Sequence, residues 1–143
     1  MKAIITDLDR TLLHTDKSVS EHTIAVLKRC HDHGILIMAA SARPIRDILI
    51  YNNLIGFDAI TATNGAVISL HQKLLEIGIS CESGEKILSA ILEYPDVFLS
   101  IETNKGLYSN RDIPIWEPVI CDKFPTLPED IILYKILASS QQK

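Results

Sequence analysis

Little in this sequence points away from an ordinary globular protein. Its 143 residues hold only three cysteines, Cys30, Cys81 and Cys121, widely spaced and odd in number. No CxxC pair or Cys/His ligand spacing occurs. A zinc site is therefore not expected, and reduced thiols in the cytoplasm are the plain reading. His14, His22, His31, His33 and His71 also form no ligand spacing and read as surface or helix-face residues. No apolar run is long enough to span a bilayer. A net charge of −4 offers no reason to expect nucleic acid or an anionic membrane as a partner. The N-terminus runs straight into a strand-like segment, so no signal peptide is expected. There is no internal repeat and no low-complexity segment.

What is present begins at Ala3 to Thr6, a short uncharged β-prone run. It reads as a central parallel strand buried on both faces. Asp7 and Asp9 follow at its carboxyl end. Residues two apart on a strand share a face, so both acids are expected in one crevice, where open α/β sheets bind ligands. Two acids at the tip of a dry strand call for a compensating cation, and a divalent metal is the natural one. Taken alone, Asp-x-Asp also fits a pair of surface acids ending a strand.

The rest of the first half alternates regularly. Leu12 to Lys17 is turn-rich. Ser18 or Ser20 caps a helix through His33, with Gly34 as its stop. Ile35 to Ala40 is a second apolar strand. Ser41-Ala42-Arg43-Pro44 is a turn, with Pro44 the first residue of a helix to about Tyr51. Asp58 to Thr63 is a third strand, closed by Asn64-Gly65. Strand, helix, strand, helix, strand with short connections predicts a parallel sheet with right-handed crossovers.

The texture then changes. Val67 to Leu70 and Leu74 to Ile77 read as a hairpin around His71-Gln72-Lys73. Ser83 to Glu93 reads as a helix capped by Ser83. Val97 to Thr103 and Leu107 to Ser109 read as a second hairpin, turning at Asn104-Lys105-Gly106. Arg111 to Pro128 holds four of the six prolines and is expected to be mostly irregular. Ile131 to Ala138 is a last strand before a polar tail. The expected fold class is α/β: a partial doubly wound, Rossmann-like core with a parallel sheet over 1–80, then an α+β module over 81–143.

Asp7 and Asp9 suit phosphoryl transfer. One carboxylate can attack phosphorus, and the other can protonate the leaving oxygen and later activate water. The stretch Asp7-Leu8-Asp9-Arg10-Thr11-Leu12-Leu13 closely resembles the first motif of the haloacid dehalogenase superfamily, Asp-x-Asp-Gly-Thr-Leu-Leu. Ser41-Ala42-Arg43-Pro44 is similar to the Thr-Gly-Arg-Pro of the Cof-type phosphatase branch, and Asn64-Gly65-Ala66 also matches that branch. The resemblance covers residues 1 to about 77 well. It extends more loosely into 80–143, which looks like part of that branch's large α/β cap.

The resemblance implies a Mg²⁺-dependent phosphatase acting through an aspartyl-phosphate on a small phosphorylated metabolite. Asp7 would be the nucleophile and a metal ligand. Asp9 would be the general acid/base, with its carbonyl on the metal. Ser41 would hold a phosphate oxygen, a role compatible with capping the next helix. Arg43 would reach the site or stand exposed in the first helical turn. Asn64 would line the entrance or simply make the turn. Thr11 would brace the loop.

Arg10 and Ala42 stand where the family has glycine, at points of sharp turning or close phosphate approach. Arg10 would strain or narrow the site, or add a phosphate contact. The family's later Lys and its Gly-Asp-x-x-Asn-Asp are not found, so the chain looks truncated within the cap. Lys135 reads as a cap-strand residue, and Glu129-Asp130 precedes a strand instead of ending one. The opening strand's outer edge is then expected to be exposed, inviting a homodimer or a missing C-terminal half. Other readings are a non-catalytic phosphate-binding or interaction module and one half of a split phosphatase.

Overall fold

The computed structural model describes residues 1–71, 73–121, 124 and 130–140. The chain divides into two compact units, Met1–Glu76 and Ile77–Lys143.

The first unit is a five-stranded sheet in sequence order: β1 (Lys2–Thr6), β2 (Ile35–Ala40), β3 (Ala59–Ala62), β4 (Val67–Leu70) and β5 (Lys73–Glu76). β1, β2 and β3 are parallel, while β4 and β5 join antiparallel. Two helices provide the crossovers, α1 (Glu21–Asp32) and α2 (Ile45–Ile55). Ser20 caps α1, its Oγ accepting the Thr23 N–H at 3.0 Å, so of the two candidate caps the later one is used. α2 starts one residue after Pro44 and runs a turn past Tyr51. It ends at Gly56, whose φ of 78° is the left-handed conformation that glycine enters without a Cβ clash.

The core of this unit lies on one face of the sheet. Leu27 of α1, Ile37 of β2 and Ile55 of α2 pack together, with Ile4, Ile24 and Phe57 around them. Strand alternation sends the neighbours of these residues to the opposite face. That face carries Ala3, Ile5, Leu36, Met38, Ala59, Ile68, Leu70 and Leu75 by register. Ile5 is 69% exposed, and Leu70 and Leu75 are also exposed. The expectation of a doubly buried β1 is therefore corrected. β1 has the composition of a two-sided strand, but among the described residues it is an edge strand with one covered face. The hairpin is also shifted by one residue: β5 begins at Lys73, and Gln72 lies outside the described residues.

The second unit is a four-stranded sheet in the order β8-β7-β6-β9, with β6 (Phe98–Thr103), β7 (Gly106–Ser109), β8 (Val119–Ile120) and β9 (Leu133–Ser139). β6 pairs antiparallel with both β7 and β9. Helix α3 (Cys81–Leu92) supplies Leu88 to a core with Leu99, Ile101 and Leu133. α3 is capped by Ser80, not Ser83. The Ser80 Oγ accepts the Ser83 N–H at 3.2 Å, satisfying a first-turn donor that has no partner within the helix. The proline-rich stretch is not wholly irregular, since Val119–Ile120 pairs parallel with β7. The remainder of that expectation at 122–123 and 125–129, with Glu129 and the tail 141–143, lies outside the described residues.

Candidate functional site

Three strand ends bring most of the singled-out residues together. Directly after β1, Leu8 is fully buried and anchors the loop, so its neighbours Asp7 and Asp9 stand toward solvent. Leu8 also accepts N–H bonds from Thr11, Leu12 and Leu13 through its carbonyl, which makes the loop a tight turn. Within it Arg10 has φ 61°, the left-handed region that an L-residue enters at a cost. Glycine would sit there without strain, so the first departure from the motif is felt in the backbone. Ala42 is different. It has no positive φ and its side chain is exposed, so its methyl is accommodated.

Asp9 is the most heavily engaged side chain. Arg43 grips it with both arms, Nε donating to Oδ2 and Nη2 to Oδ1, each at 2.7 Å. Lys17 Nζ donates to the same Oδ1 at 2.6 Å. These two cations hold the Asp9 carboxyl well below the usual carboxylate range. The Asp9 carboxylate in turn pushes the Arg43 guanidinium above its ordinary value. Arg43 lies ahead of α2, not within its first turn, and is half-buried over the Tyr51 ring at 5.8 Å from the centroid.

Asp7 is exposed, and the Thr11 hydroxyl reaches its Oδ2 at 3.5 Å, the brace expected of Thr11 in a long form. Ser41 is buried at the end of β2. Its N–H donates to Thr61 O at 2.8 Å, its Oγ accepts the Arg43 N–H at 3.2 Å, and its carbonyl accepts the Asn64 N–H at 3.2 Å. Ser41 thus caps the short turn leading to α2 and not the helix itself. Asn64 has φ 58° in a single 3-10 turn over Thr63–Gly65 and lies beside Ser41 through its backbone.

Asp9, Arg43, Ser41 and Asn64 are therefore joined in one hydrogen-bonded chain. No hydrogen bond or ion pair ties Arg10 to it among the described residues.

Three members of this cluster escaped the sequence reading. Lys17 stood in the turn-rich passage, Tyr51 at the expected end of a helix, and Thr63 at the end of a strand. Thr63 is buried at φ 50°, and its N–H closes on Arg43 O at 2.8 Å. Tyr51 offered the only signal: a phenol within a buried helix face needs a hydrogen-bond partner. It finds one in Lys17 O at 3.1 Å.

No group of three or more His, Cys, Asp or Glu side chains able to hold a metal occurs among the described residues. Lys135 lies mid-strand in β9 of the second unit, opposite Glu102.

The family model of the haloacid dehalogenase-like hydrolases matches residues 4–137. The chain belongs to this family. It is 25% identical over 112 residues to the 5-amino-6-(5-phospho-D-ribitylamino)uracil phosphatase YwtE of Bacillus subtilis (strain 168), a match covering 78% of this chain and 39% of that protein. The phosphatase BT1666 of Bacteroides thetaiotaomicron superposes with a TM-score of 0.69 at 30% identity, over 80% of this chain and 43% of that one. A hypothetical protein of Geobacillus kaustophilus HTA426 shares the fold, with a TM-score of 0.79 at 18% identity over 96% of this chain and 57% of that one. The chain thus spans about two fifths of the length of the curated relative it matches. No helix among the described residues is long and apolar enough to cross a membrane.

Proposed function

We propose that these residues form the nucleophile and acid/base half of a Mg²⁺-dependent phosphomonoesterase acting on a small phosphorylated metabolite in the cytoplasm. The observation that carries the reading is the cluster at the strand ends: Asp9 gripped by Arg43, with Ser41 and Asn64 bonded to the same turn and Asp7 exposed beside it. In this proposal Asp9, ionised at rest, takes up a proton with the incoming phosphomonoester; Asp7 then attacks phosphorus in line, and the bond to the leaving oxygen breaks as Asp9 passes that proton to it. Water then loses a proton to Asp9 and cleaves the aspartyl-phosphate, releasing phosphate and restoring Asp7. Ser41 holds a phosphoryl oxygen, and Arg43 and Arg10 are the nearby cations for the remaining charge.

The donors on offer are carboxylate and carbonyl oxygens, the hard ligands that suit Mg²⁺. The Asp7 carboxylate and the Asp9 carbonyl would hold the ion, because the Asp9 carboxylate already faces two cations. When bound, Mg²⁺ screens the repulsion between carboxylate and phosphate.

Residues 1–80 would then be the N-terminal half of the hydrolase core and 81–143 part of a cap. The sequence contains no Gly-Asp-x-x-Asn-Asp. Losing single charge-stabilising contacts costs roughly 10²–10³-fold in rate, so turnover by these 143 residues alone is expected to be weak or absent. Two observations favour companion readings. A carboxylate saturated by cations suits a phosphate-binding module without turnover. The uncovered edge and face of β1 suit a split enzyme, completed by a C-terminal half, or a homodimer.

The test is p-nitrophenyl phosphate hydrolysis with Mg²⁺, comparing the chain with Asp7→Asn. Slow turnover abolished by Asp7→Asn supports the enzyme reading. Equal rates for both proteins would remove Asp7 as nucleophile.

A further inference from the structure

Lys17 presents a cation to the centre of the cluster from a loop that is itself firmly built. Its N–H donates to His14 O at 3.0 Å, and the His14 N–H donates to Ser18 O at 2.9 Å. Asp16 Oδ1 accepts the Ser18 N–H at 3.0 Å. From α2, the Tyr51 hydroxyl fixes the Lys17 carbonyl. Lys17 has φ 69°, where glycine or asparagine would sit at lower cost. Strained positions of this kind gather at ligand-handling sites.

The two cations on Asp9 are not equivalent. The Arg43 side chain is 20% exposed, bidentate and stacked on Tyr51, so it is part of the framework. The Lys17 side chain is 56% exposed and reaches Asp9 through a single bond from a flexible stem. It shares Oδ1 with Arg43, so Asp9 keeps a full bidentate partner if Lys17 leaves. Asp9, Arg43 and Lys17 together carry one positive charge in excess. An ammonium on a mobile stem above a pinned backbone is well suited to capturing a phosphate as a point charge.

We propose that Lys17 is a phosphate-binding residue of this site, resting on Asp9 when no ligand is present and moving to a phosphoryl oxygen when one enters. The same movement releases one of the two bonds on Asp9 Oδ1. The inference rests on the phosphate-site reading above and adds to it a cation from the opening loop.

The test uses the full chain and inorganic phosphate, titrated with MgCl₂ present by isothermal calorimetry and followed by phosphorus NMR. Lys17→Met is expected to weaken phosphate binding on the order of tenfold, the scale of one charged hydrogen bond, and Lys17→Arg to recover most of it. The comparison is repeated in an Asp9→Asn background, where Lys17 has no carboxylate to neutralise. A loss that persists there assigns the contact to phosphate. A loss that disappears there makes Lys17 only a counter-ion of Asp9 and overturns the proposal, as does unchanged affinity of Lys17→Met. If the unaltered chain binds no phosphate, the phosphate-site reading falls first and this inference with it.

Discussion

The two units use one helix layer in different ways. In Ile77–Lys143 the antiparallel strands β6 and β9 turn Leu99, Ile101 and Leu133 toward α3, while Ser100, Glu102 and Lys135 occupy the other face by alternation, where Ser100 and Glu102 are buried as well. The centre of this sheet is therefore shielded on both faces, apolar toward α3 and polar on the other side. In Met1–Glu76 the strands are apolar on both faces, yet α1 and α2 join a single core on one of them. A sheet that is apolar on both faces and covered on one is built to receive a second layer. The unit that holds the Asp9–Arg43 cluster is therefore the one whose packing is incomplete.

The largest expected effect tests the core of the second unit. Leu99 is fully buried, and Leu99→Ala should cost about 2–5 kcal/mol by loss of transfer energy plus a cavity. Urea denaturation followed by circular dichroism would measure it, and a cost under 1 kcal/mol would show a loosely packed core.

The next effect lies in the first unit. Asp58 accepts the Ile37 N–H at 2.7 Å and pairs with His31 at 3.3 Å. Burial pushes its carboxyl up, but these two bonds outweigh burial and leave it below the usual range. Asp58→Ala leaves the buried Ile37 donor unpaired and should cost about 1–3 kcal/mol. Because the folded carboxyl is depressed, this contribution is present above the ordinary carboxylate pKa and fades as the pH falls through the lowered folded value. Stability that shows no Asp58-dependent loss on acidification would contradict the sign.

A smaller gain is expected from Arg10→Gly. Relief of the left-handed backbone is partly offset by glycine's greater unfolded-state freedom, leaving about 0.5–1 kcal/mol of stabilisation. A drop in melting temperature would mean that the Arg10 side chain makes a contact worth more than the strain.

The smallest effect bears most directly on the contrast between the units. Ile5 lies on the bare face, so Ile5→Asp should change stability by less than about 0.5 kcal/mol, as exposed substitutions do. A large loss, or a concentration-dependent melting temperature that the substitution abolishes, would show that a second chain covers this face in solution.

The alternation of strands and helices was legible because apolar runs such as Ile35–Ala40 and the caps around α1 are local signals. Asp7, Asp9 and Ser41 were legible because strand ends in such sheets are where ligands bind. Ser83 was expected as the cap of α3, but the helix begins earlier, at Cys81, and Ser80 caps it; a serine at capping spacing does not by itself fix where the chain enters the helix. Lys17, Tyr51 and Thr63 were hidden for a different reason. Their roles depend on contacts between segments far apart in sequence, such as Tyr51 reaching back to Lys17.

By itself, then, the sequence determined the family, the order of elements in the first unit and the acids at the tip of β1. Apolar periodicity and a short motif are properties of neighbouring residues, and no folding is needed to see them. Only the tertiary structure decided that Asp9 is closed by two cations, and that β1 has one bare face. Both depend on which distant segments meet, Arg43 and Lys17 with Asp9 in one case, and in the other two helices that pack on the same side of the sheet.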